Sequence, residues 1–172
     1  EKKSFNFGYT PIPGAAANGI VSGCLRRTRT MTFMPWTPDL ALGVEEIESQ
    51  HQELVRLTNA LHDEISSASP HRETIHGILE GLVDYTHNHF IVEEVLFQQH
   101  DYPETPAHQA QHNRFTEKAM DLLLRFEDGE EVSTEALDFL KDWLVHHICR
   151  VDRAYLSFFQ EVFATRREAL AA

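Results

Sequence analysis

From Trp36 onward, apolar side chains recur at steps of three and four residues, the spacing that gathers them on one face of an α-helix. Four stretches show this pattern, and we predict helices over about 44–67, 70–100, 105–127 and 134–166. No segment shows an equally strong alternation of apolar and polar residues, the pattern typical of a half-buried strand. On the third helix the predicted inward residues are Phe115, Met120, Leu123 and Phe126, and on the fourth they are Leu137, Leu140, Leu144, His147, Val151, Tyr155 and Phe158.

Local signals mark the ends of these predicted helices. Ser69-Pro70 and Thr105-Pro106 each pair a capping residue with a proline, which is tolerated in the first turn of a helix. Ser133 or Thr134 is suited to cap the fourth helix, and Gly129 to end the third. Four amphipathic helices with short connections favour an all-α fold, an antiparallel up-down-up-down four-helix bundle.

The first 34 residues differ from the rest in composition and in charge. They are rich in Gly, Pro and small residues and show neither helical nor strand periodicity. They contain five basic residues against one acidic residue, so the remainder of this chain of net charge −12 carries −16. We therefore predict an irregular tail or linker over 1–34, which could serve as a docking segment for a partner, and the bundle over 35–172.

Composition narrows the class of protein. At 172 residues with 42% hydrophobic residues, the chain is predicted to form one bundle domain, and it has no apolar run long enough to insert into a membrane. The acidic net charge argues against a nucleic-acid partner. Cys24 and Cys149 are too few and too far apart for a disulfide framework or a thiolate metal site, which favours a reducing, cytoplasmic setting.

Eleven histidines are unusual, and several fall on the inward faces of the predicted helices. His146 and His147 compete for one inward position, and we prefer His147 because it continues the Leu140–Leu144 stripe. Asp152 follows five residues later, a step of roughly 140° on an ideal helix, so Asp152 reaches the centre from the flank or the helix is locally distorted. The full set of inward polar groups is His51, His89, Glu93, His108, His112, His147 and Asp152.

Seven polar groups inside a bundle need partners, because each loses its hydration on burial. Five imidazoles and two carboxylates match two metal ions with one coordination position left over. Nitrogen-rich ligation favours iron, copper or zinc over magnesium or calcium, and carboxylate bridging in a helical bundle indicates iron. Glu94, next to Glu93, is interpreted as a surface or outer-shell carboxylate.

The four segments that carry these residues resemble the hemerythrin family, and the bacterial hemerythrins most. They are GVEEIESQH, HFIVEE, HQAQH and WLVHHICRVD, in that order and each on its own predicted helix. Any one H-x-x-x-H or H-x-x-x-E pair is weak evidence, whereas all four in order are highly specific. The resemblance covers residues 36 to about 160.

The resemblance implies a role for each residue. His108, His112 and His147 would hold one iron, and His51 and His89 the other, which keeps an open position. Glu93 and Asp152 would bridge the two irons together with an oxo or hydroxo group. Leu144, Trp143 and Phe90 would line a dry pocket for dioxygen.

The resemblance therefore implies a non-enzymatic protein that binds dioxygen reversibly, for storage, delivery or scavenging. An oxygen or redox sensor with the same site is the alternative, and a di-iron oxidase or reductase is a further one. Ferritin-like oxidases use four glutamates with Glu-x-x-His motifs, whereas histidine dominates here.

Overall fold

The computed structural model describes the backbone of residues 32–171 and the side chains of residues 32–45 and 47–162. The predicted tail lies outside the described residues as far as Met31. The described part of the chain contains helices and no strand. A short 3₁₀ turn, Pro38–Leu40, is followed by α1 (Glu45–Ile65), α2 (Arg72–Gln99), α3 (Thr105–Glu127), α4 (Thr134–His146), a π-helical segment (His147–Asp152) and α5 (Arg153–Ala171).

These elements form a four-helix bundle, as predicted. The backbone stays helical at both ends of the π-helical segment, with φ −61° and ψ −55° at His147 and φ −58° and ψ −28° at Arg153, so α4, the π-helical segment and α5 make one continuous fourth helix. α1 packs against α2 and α4, and α2 packs against α3. None of the described helices is both long and apolar enough to span a membrane.

Two of the four predicted helix ends are confirmed. The Ser133 side chain accepts a hydrogen bond from Ala136 N at 3.2 Å and caps α4. At the end of α3, Gly129 adopts φ 106°, a left-handed conformation that favours glycine. Its N–H donates to Phe126 O, and Glu130 N donates to Arg125 O, the pair of bonds that closes a Schellman motif.

The two capping-residue and proline pairs predicted the starts of α2 and α3 less accurately. The prediction of a cap at Ser69 was wrong, because α2 begins at Arg72 with His71 as its N-cap residue. The His71 N–H donates to a Glu64 carboxylate oxygen at 2.8 Å, so an acceptor from α1 replaces the predicted local cap. In α3, Thr105 is the first helical residue rather than the cap, which is Glu104.

Three predicted inward positions differ from the structure. Met120 is 37% exposed and the neighbouring Ala119 is buried in its place. In the fourth helix Val151 and Phe158 are only half-buried, whereas Asp152 and Phe159 are buried. A π-helical turn holds one more residue than an α-helical turn, which accounts for the shift from Val151 to Asp152. Tyr155 is buried as predicted, and the next buried position is Phe159, one residue after the predicted Phe158.

Residues 33–42 form a strap that runs along the bundle. The Met34 N–H donates to Asn59 Oδ1, and Asn59 Nδ2 donates to Met34 O, both at 2.8 Å. The Phe33 ring stacks on His62 in α1 with centroids 4.4 Å apart and lies under Lys141 of α4. The strap therefore joins α1 to α4, and its first two residues belong structurally with the bundle although the tail was predicted to extend to Met34.

Replacing Met34 with alanine is expected to destabilise the fold by about 2–5 kcal/mol, the cost of truncating a fully buried methionine. The Met34 side chain is 1% exposed and packs in the same apolar cluster as Leu54, Leu144 and Ile148. Chemical denaturation of the metal-free protein measures the change. Met120→Ala is the matched control, because the exposed Met120 should change stability by less than about 0.5 kcal/mol. Equal effects of the two substitutions would show that the strap does not contribute to the core.

Candidate metal centre

All four helices of the bundle contribute polar side chains to one buried centre. α1 contributes His51, α2 and α3 each contribute a pair one turn apart, and the π-helical segment contributes the last two groups. None of the seven side chains is more than 3% exposed. The structure thus brings together every residue predicted as a metal ligand: His51, His89, Glu93, His108, His112, His147 and Asp152.

The seven residues fall into two groups whose potential ligand atoms lie within 4.8 Å of one another. The first, here called the three-histidine group, consists of Glu93, His108, His112 and His147. The second, the two-histidine group, consists of His51, His89, Glu93 and Asp152. Each group could hold one metal ion, and Glu93 belongs to both.

The two carboxylates lie between the groups. Glu93 Oε2 is 3.2 Å from His112 Nε2 and 3.8 Å from His89 Nε2, which belong to different groups. Asp152 divides its oxygens: Oδ1 lies 3.1 Å from His147 Nε2, and Oδ2 lies 3.2 Å from His51 Nε2. Both carboxylates are therefore placed where a bridging ligand would be.

The π-helical segment explains how Asp152 reaches this centre. Hydrogen bonds in a π-helix run between residues five apart, so side chains at that separation come close to the same face. His147 and Asp152 are five apart and occupy the two ends of the segment. Of the two possibilities that the sequence left open, local distortion of the helix is the one found.

The spacing of the imidazoles fits metal ligation. His51 Nε2 and His89 Nε2 are 3.1 Å apart, and so are His112 Nε2 and His147 Nε2. Two nitrogens each bound about 2.1 Å from one metal ion, at a right angle, lie about 3 Å apart. Both pairs therefore have the separation of neighbouring ligands on a shared ion.

Several buried atoms at the centre lack a hydrogen-bond partner. Glu93 Oε2, His108 Nε2 and both oxygens of Asp152 are among them. Leaving such atoms unpaired costs about 1–3 kcal/mol each, and more where they are charged. A cation at the centre would use these lone pairs, so the residues present fit a bound metal.

The carboxylates are held in their ionised form. Burial alone would raise the pKa of Asp152, but His147 and the other imidazoles whose nitrogens lie 3.1 to 3.3 Å from its oxygens hold it well below its usual value. Burial and the charge of Asp152 would also raise the pKa of Glu93, yet the neighbouring histidines, His89 first, hold it below its usual value. Two buried negative charges therefore occupy the centre, and imidazole nitrogens lie 3.1 to 3.8 Å from their oxygens.

The histidines respond to the same environment in opposite directions. Burial lowers the pKa of His89 from 6.5 to about 4 and also lowers that of His147, so both favour the neutral form that binds metals. Burial would lower the pKa of His108 too, but the carboxylates of Asp152 and Glu93, 3.3 and 3.4 Å from its Nε2 atom, raise it to about 9. In the metal-free protein a proton on His108 thus offsets part of the negative charge, and a metal ion would displace it.

The three predicted pocket residues occupy different positions around the three-histidine group. Phe90 stacks on the His112 ring with centroids 3.7 Å apart, and Trp143 stacks on His147 at 4.2 Å. Leu144 is fully buried three residues before His147, and its carbonyl accepts the His147 N–H. The two aromatic rings thus cover two of the predicted ligand imidazoles, and Leu144 adjoins His147 through the backbone.

Outer partners orient the centre, and the sequence did not predict most of them. His89 Nδ1 lies 2.8 Å from Gln50 Oε1, and the Tyr155 hydroxyl donates to Glu93 Oε1 at 2.8 Å. His112 Nδ1 lies 2.9 Å from Glu94 Oε1, which agrees with the interpretation of Glu94 as an outer-shell carboxylate. Gln50 comes one residue before His51, and Tyr155 comes three residues after Asp152. Nothing in the sequence indicates that their partners are instead His89 and Glu93.

The preference for His147 over His146 agrees with the structure, since His146 is exposed and His147 is buried. The remaining histidines lie outside the centre: His62, His71, His76, His87 and His100 are exposed or half-exposed. The two groups are the only sets of three or more potential ligands among the described residues that lie close enough to share an ion.

The helical bundle encloses two groups of histidines and carboxylates that share a glutamate, and such groups are typical of a metal-binding protein. The family model "Hemerythrin HHE cation binding domain" matches residues 42–159, which include all seven residues. The chain belongs to the hemerythrin family. The family and the histidine and carboxylate groups together support non-haem iron as the metal.

Sequence relatives and a solved structure support the same family assignment. The chain is 34% identical to a bacteriohemerythrin of Stenotrophomonas maltophilia over 73% of this chain and 80% of that protein. It is 35% identical to a bacteriohemerythrin of Methylococcus capsulatus, over 73% of this chain and 95% of that protein. It is also similar to the crystal structure of a wild-type hemerythrin, with a TM-score of 0.66 and 34% identity over 72% of this chain and 95% of the other.

Proposed function

We propose that this protein binds dioxygen reversibly at two non-haem iron ions joined by an oxo or hydroxo bridge. The observation that carries the proposal is the centre itself: two groups of ligand atoms share Glu93 and contain five imidazoles against two carboxylates. An iron pair supplies the two electrons that reversible binding of dioxygen requires. We expect the protein to store, deliver or scavenge oxygen rather than to turn over a substrate.

Each of the seven residues has a proposed role. His108, His112 and His147 hold one iron, and His51 and His89 hold the other, which keeps a free position for dioxygen. Glu93 and Asp152 bridge the two ions. The position of each carboxylate between the groups supports this division, and so do the two 3.1 Å separations between imidazole nitrogens.

The surrounding residues support reversible binding over oxidation of a substrate. Phe90 and Trp143 stack on His112 and His147, and Leu144 is buried, so we expect the three side chains to keep water from the centre. Tyr155 is the hydroxyl donor to Glu93, and burial raises its pKa well above its usual value, so it keeps its proton. A dry site with few available protons favours release of dioxygen over its reduction.

The proposal is tested by reducing the purified protein without oxygen, counting iron per chain and then admitting air through several cycles while recording the visible spectrum. Two irons with a visible band that appears and disappears in every cycle would support an oxygen carrier. Two irons with a single, irreversible oxidation would favour a sensor or an enzyme. Zinc, or no bound metal, would contradict the assignment of all seven residues.

Replacing Leu144 with alanine is expected to shorten the life of the oxygen-binding form by several-fold, because the space left by the side chain admits water near the irons. The number of cycles before the band is lost measures this effect. Leu137→Ala is the control: Leu137 is equally buried and lies two turns earlier on α4. Both changes should cost about 2–5 kcal/mol of stability. If both variants lost the band after the same number of cycles, the effect of Leu144→Ala would come from lower stability and not from entry of water.

The sensor alternative is supported by one set of contacts. The Asp39 carbonyl in the strap accepts hydrogen bonds from Cys149 Sγ at 3.4 Å and from Arg153 Nη2 at 2.5 Å. Cys149 lies between His147 and Asp152, so a change in the π-helical segment would reach the strap directly. Hydrogen exchange of residues 33–42 should differ between the oxidised and reduced protein if this function applies, and it should stay unchanged in a carrier.

Docking of a partner through the N-terminal tail and a cytoplasmic location remain proposals. Since Met34 is buried in the bundle core, a deletion that tests docking should end at Met31. Loss of a co-purifying protein from the shortened chain, with its iron content unchanged, would support docking. Unchanged co-purification would contradict it.

A further inference from the structure

Two of the histidines at the centre have their outer nitrogen fixed by a side-chain acceptor. His112 Nδ1 is 2.9 Å from Glu94 Oε1, and His89 Nδ1 is 2.8 Å from Gln50 Oε1. In both cases the acceptor requires the proton to be on Nδ1, which leaves the lone pair of Nε2 facing the centre. By contrast, His51 Nδ1 and His147 Nδ1 are buried with no hydrogen-bond partner among the described residues.

The two acceptors differ in charge, and they serve different groups. Glu94 is a carboxylate and lies behind His112 in the three-histidine group. Gln50 is a neutral amide and lies behind His89 in the two-histidine group. A carboxylate acceptor makes the imidazole a stronger electron donor to a metal than an amide does, because its negative charge stabilises partial positive charge on the ring.

Glu94 is held in position by more than its histidine. The side-chain amide of Gln109 donates to Glu94 Oε2 at 2.8 Å, so each carboxylate oxygen has its own partner. Gln109 lies on α3 between the two histidines that this helix contributes. The Glu94 side chain is 26% exposed, so its charge is only partly screened by solvent.

We propose that Glu94 is a positioning residue that makes the three-histidine group the tighter of the two metal positions, so that this group fills first and the group backed by Gln50 fills second. The inference rests on the proposed metal centre but is independent of oxygen binding. The three-histidine group also has one more histidine than the other group, which favours the same order of metal binding. The separate contribution of Glu94 is therefore measured by changing the outer acceptors while all seven inner residues are kept.

The experiment titrates the full, metal-free chain with Co²⁺, whose visible spectrum reports each bound ion, in the presence of a competing chelator. The variants are Glu94→Gln, Gln50→Glu and the double exchange, with Glu117→Gln as the control for loss of an exposed charge on α3. The wild-type chain should bind Co²⁺ in two steps. Glu94→Gln should weaken the first step by about 10–100-fold, the usual effect of losing an outer-shell partner, and leave the second unchanged.

Gln50→Glu should strengthen the second step without changing the first, and the double exchange should bring the two affinities together or reverse their order. Glu117→Gln should change neither step. Because Gln50→Glu adds a charge and removes no contact, it tests the proposal even if Glu94→Gln folds poorly.

Equal effects of Glu94→Gln on both steps, or none on either, would overturn the proposal. A wild-type chain that binds no Co²⁺ would overturn it together with the metal centre, whereas two ordered steps without reversible oxygen binding by the iron form would overturn the proposed function alone.

Discussion

Replacing Glu93 with glutamine is expected to reduce the bound metal from two ions per chain to at most one. Glu93 is the residue that both groups share, and its Oε2 atom lies 3.2 to 3.8 Å from imidazole nitrogens of both. Glutamine keeps the shape of the side chain but removes its charge and replaces one oxygen with an NH₂ group that cannot bind a metal. The two positions then lose their common ligand together with half of the buried negative charge.

Elemental analysis after anaerobic loading with Fe²⁺, and separately with Zn²⁺, measures this loss. Glu80→Gln is the matched control, because it makes the same change on the exposed face of α2 and should retain both ions. Circular dichroism of the metal-free variant checks that its helix content is preserved. If Glu93→Gln retained two tightly bound ions, Glu93 would not be a bridging ligand, and the proposed arrangement of the centre would be wrong.

The four-helix fold could be predicted from the sequence because each helix has a clear apolar face. The predicted third helix ends at Glu127 as observed, and the start of α4 was predicted at its observed cap. These ends depend on local interactions, such as the capping hydroxyl of Ser133 and the positive φ of Gly129. The start of α2 could not be predicted in this way, because the acceptor for its cap, Glu64, belongs to the previous helix.

The inward polar groups were found for a similar reason. A histidine between leucines on a helix face is conspicuous because it interrupts an apolar stripe, as His51 and His147 do. Inward histidines on all four predicted helices indicated a shared centre before any distance was known. Whether the seven residues ligate iron in the proposed division remains a prediction, which the metal-counting experiments test.

The π-helical segment is where hydrophobic periodicity stops predicting which residues face inward. A π-helical turn contains one more residue than an α-helical turn, but the types of residue in it do not reveal this. An apolar stripe extended past His147 with α-helical spacing therefore selects Val151 and Phe158, whereas the structure buries Asp152 and Phe159. The five-residue interval from His147 to Asp152 was the one sign of distortion in the sequence. It became meaningful only because both residues were candidates for the same centre.

The outer hydrogen-bond partners of the centre and the packing of the strap could not be predicted, because they depend on contacts between distant parts of the chain. Gln50 and His89 are 39 residues apart, and Tyr155 and Glu93 are 62 apart. Such pairs depend on the axial alignment of whole helices, which a sequence pattern does not give. Met34 could not be recognised as a core residue because it lies in an irregular segment, where no periodicity shows which side chains face inward.

Removing the metal is expected to lower the melting temperature of the protein by roughly 15–30 °C. A ligand present at 1,000 times its dissociation constant stabilises the folded state by about 4 kcal/mol per site, so two sites contribute about 8 kcal/mol. For a protein of this size each kcal/mol corresponds to about 2–4 °C. Calorimetry of the stripped chain, before and after addition of two equivalents of Zn²⁺, measures the difference without the complication of iron oxidation.

This experiment tests whether the buried charges of the centre are compensated within the protein itself. If hydrogen bonds among the imidazoles and carboxylates already satisfied them, the metal-free chain would melt close to the loaded one and Zn²⁺ would have little effect. The oxygens of Asp152 and the Nε2 atom of His108 make no hydrogen bond, which indicates the opposite. Glu93→Gln separates the two explanations, because a variant that binds at most one ion should regain no more than half of the stabilisation. Full recovery in that variant would mean that Zn²⁺ stabilises the protein at sites other than the buried centre.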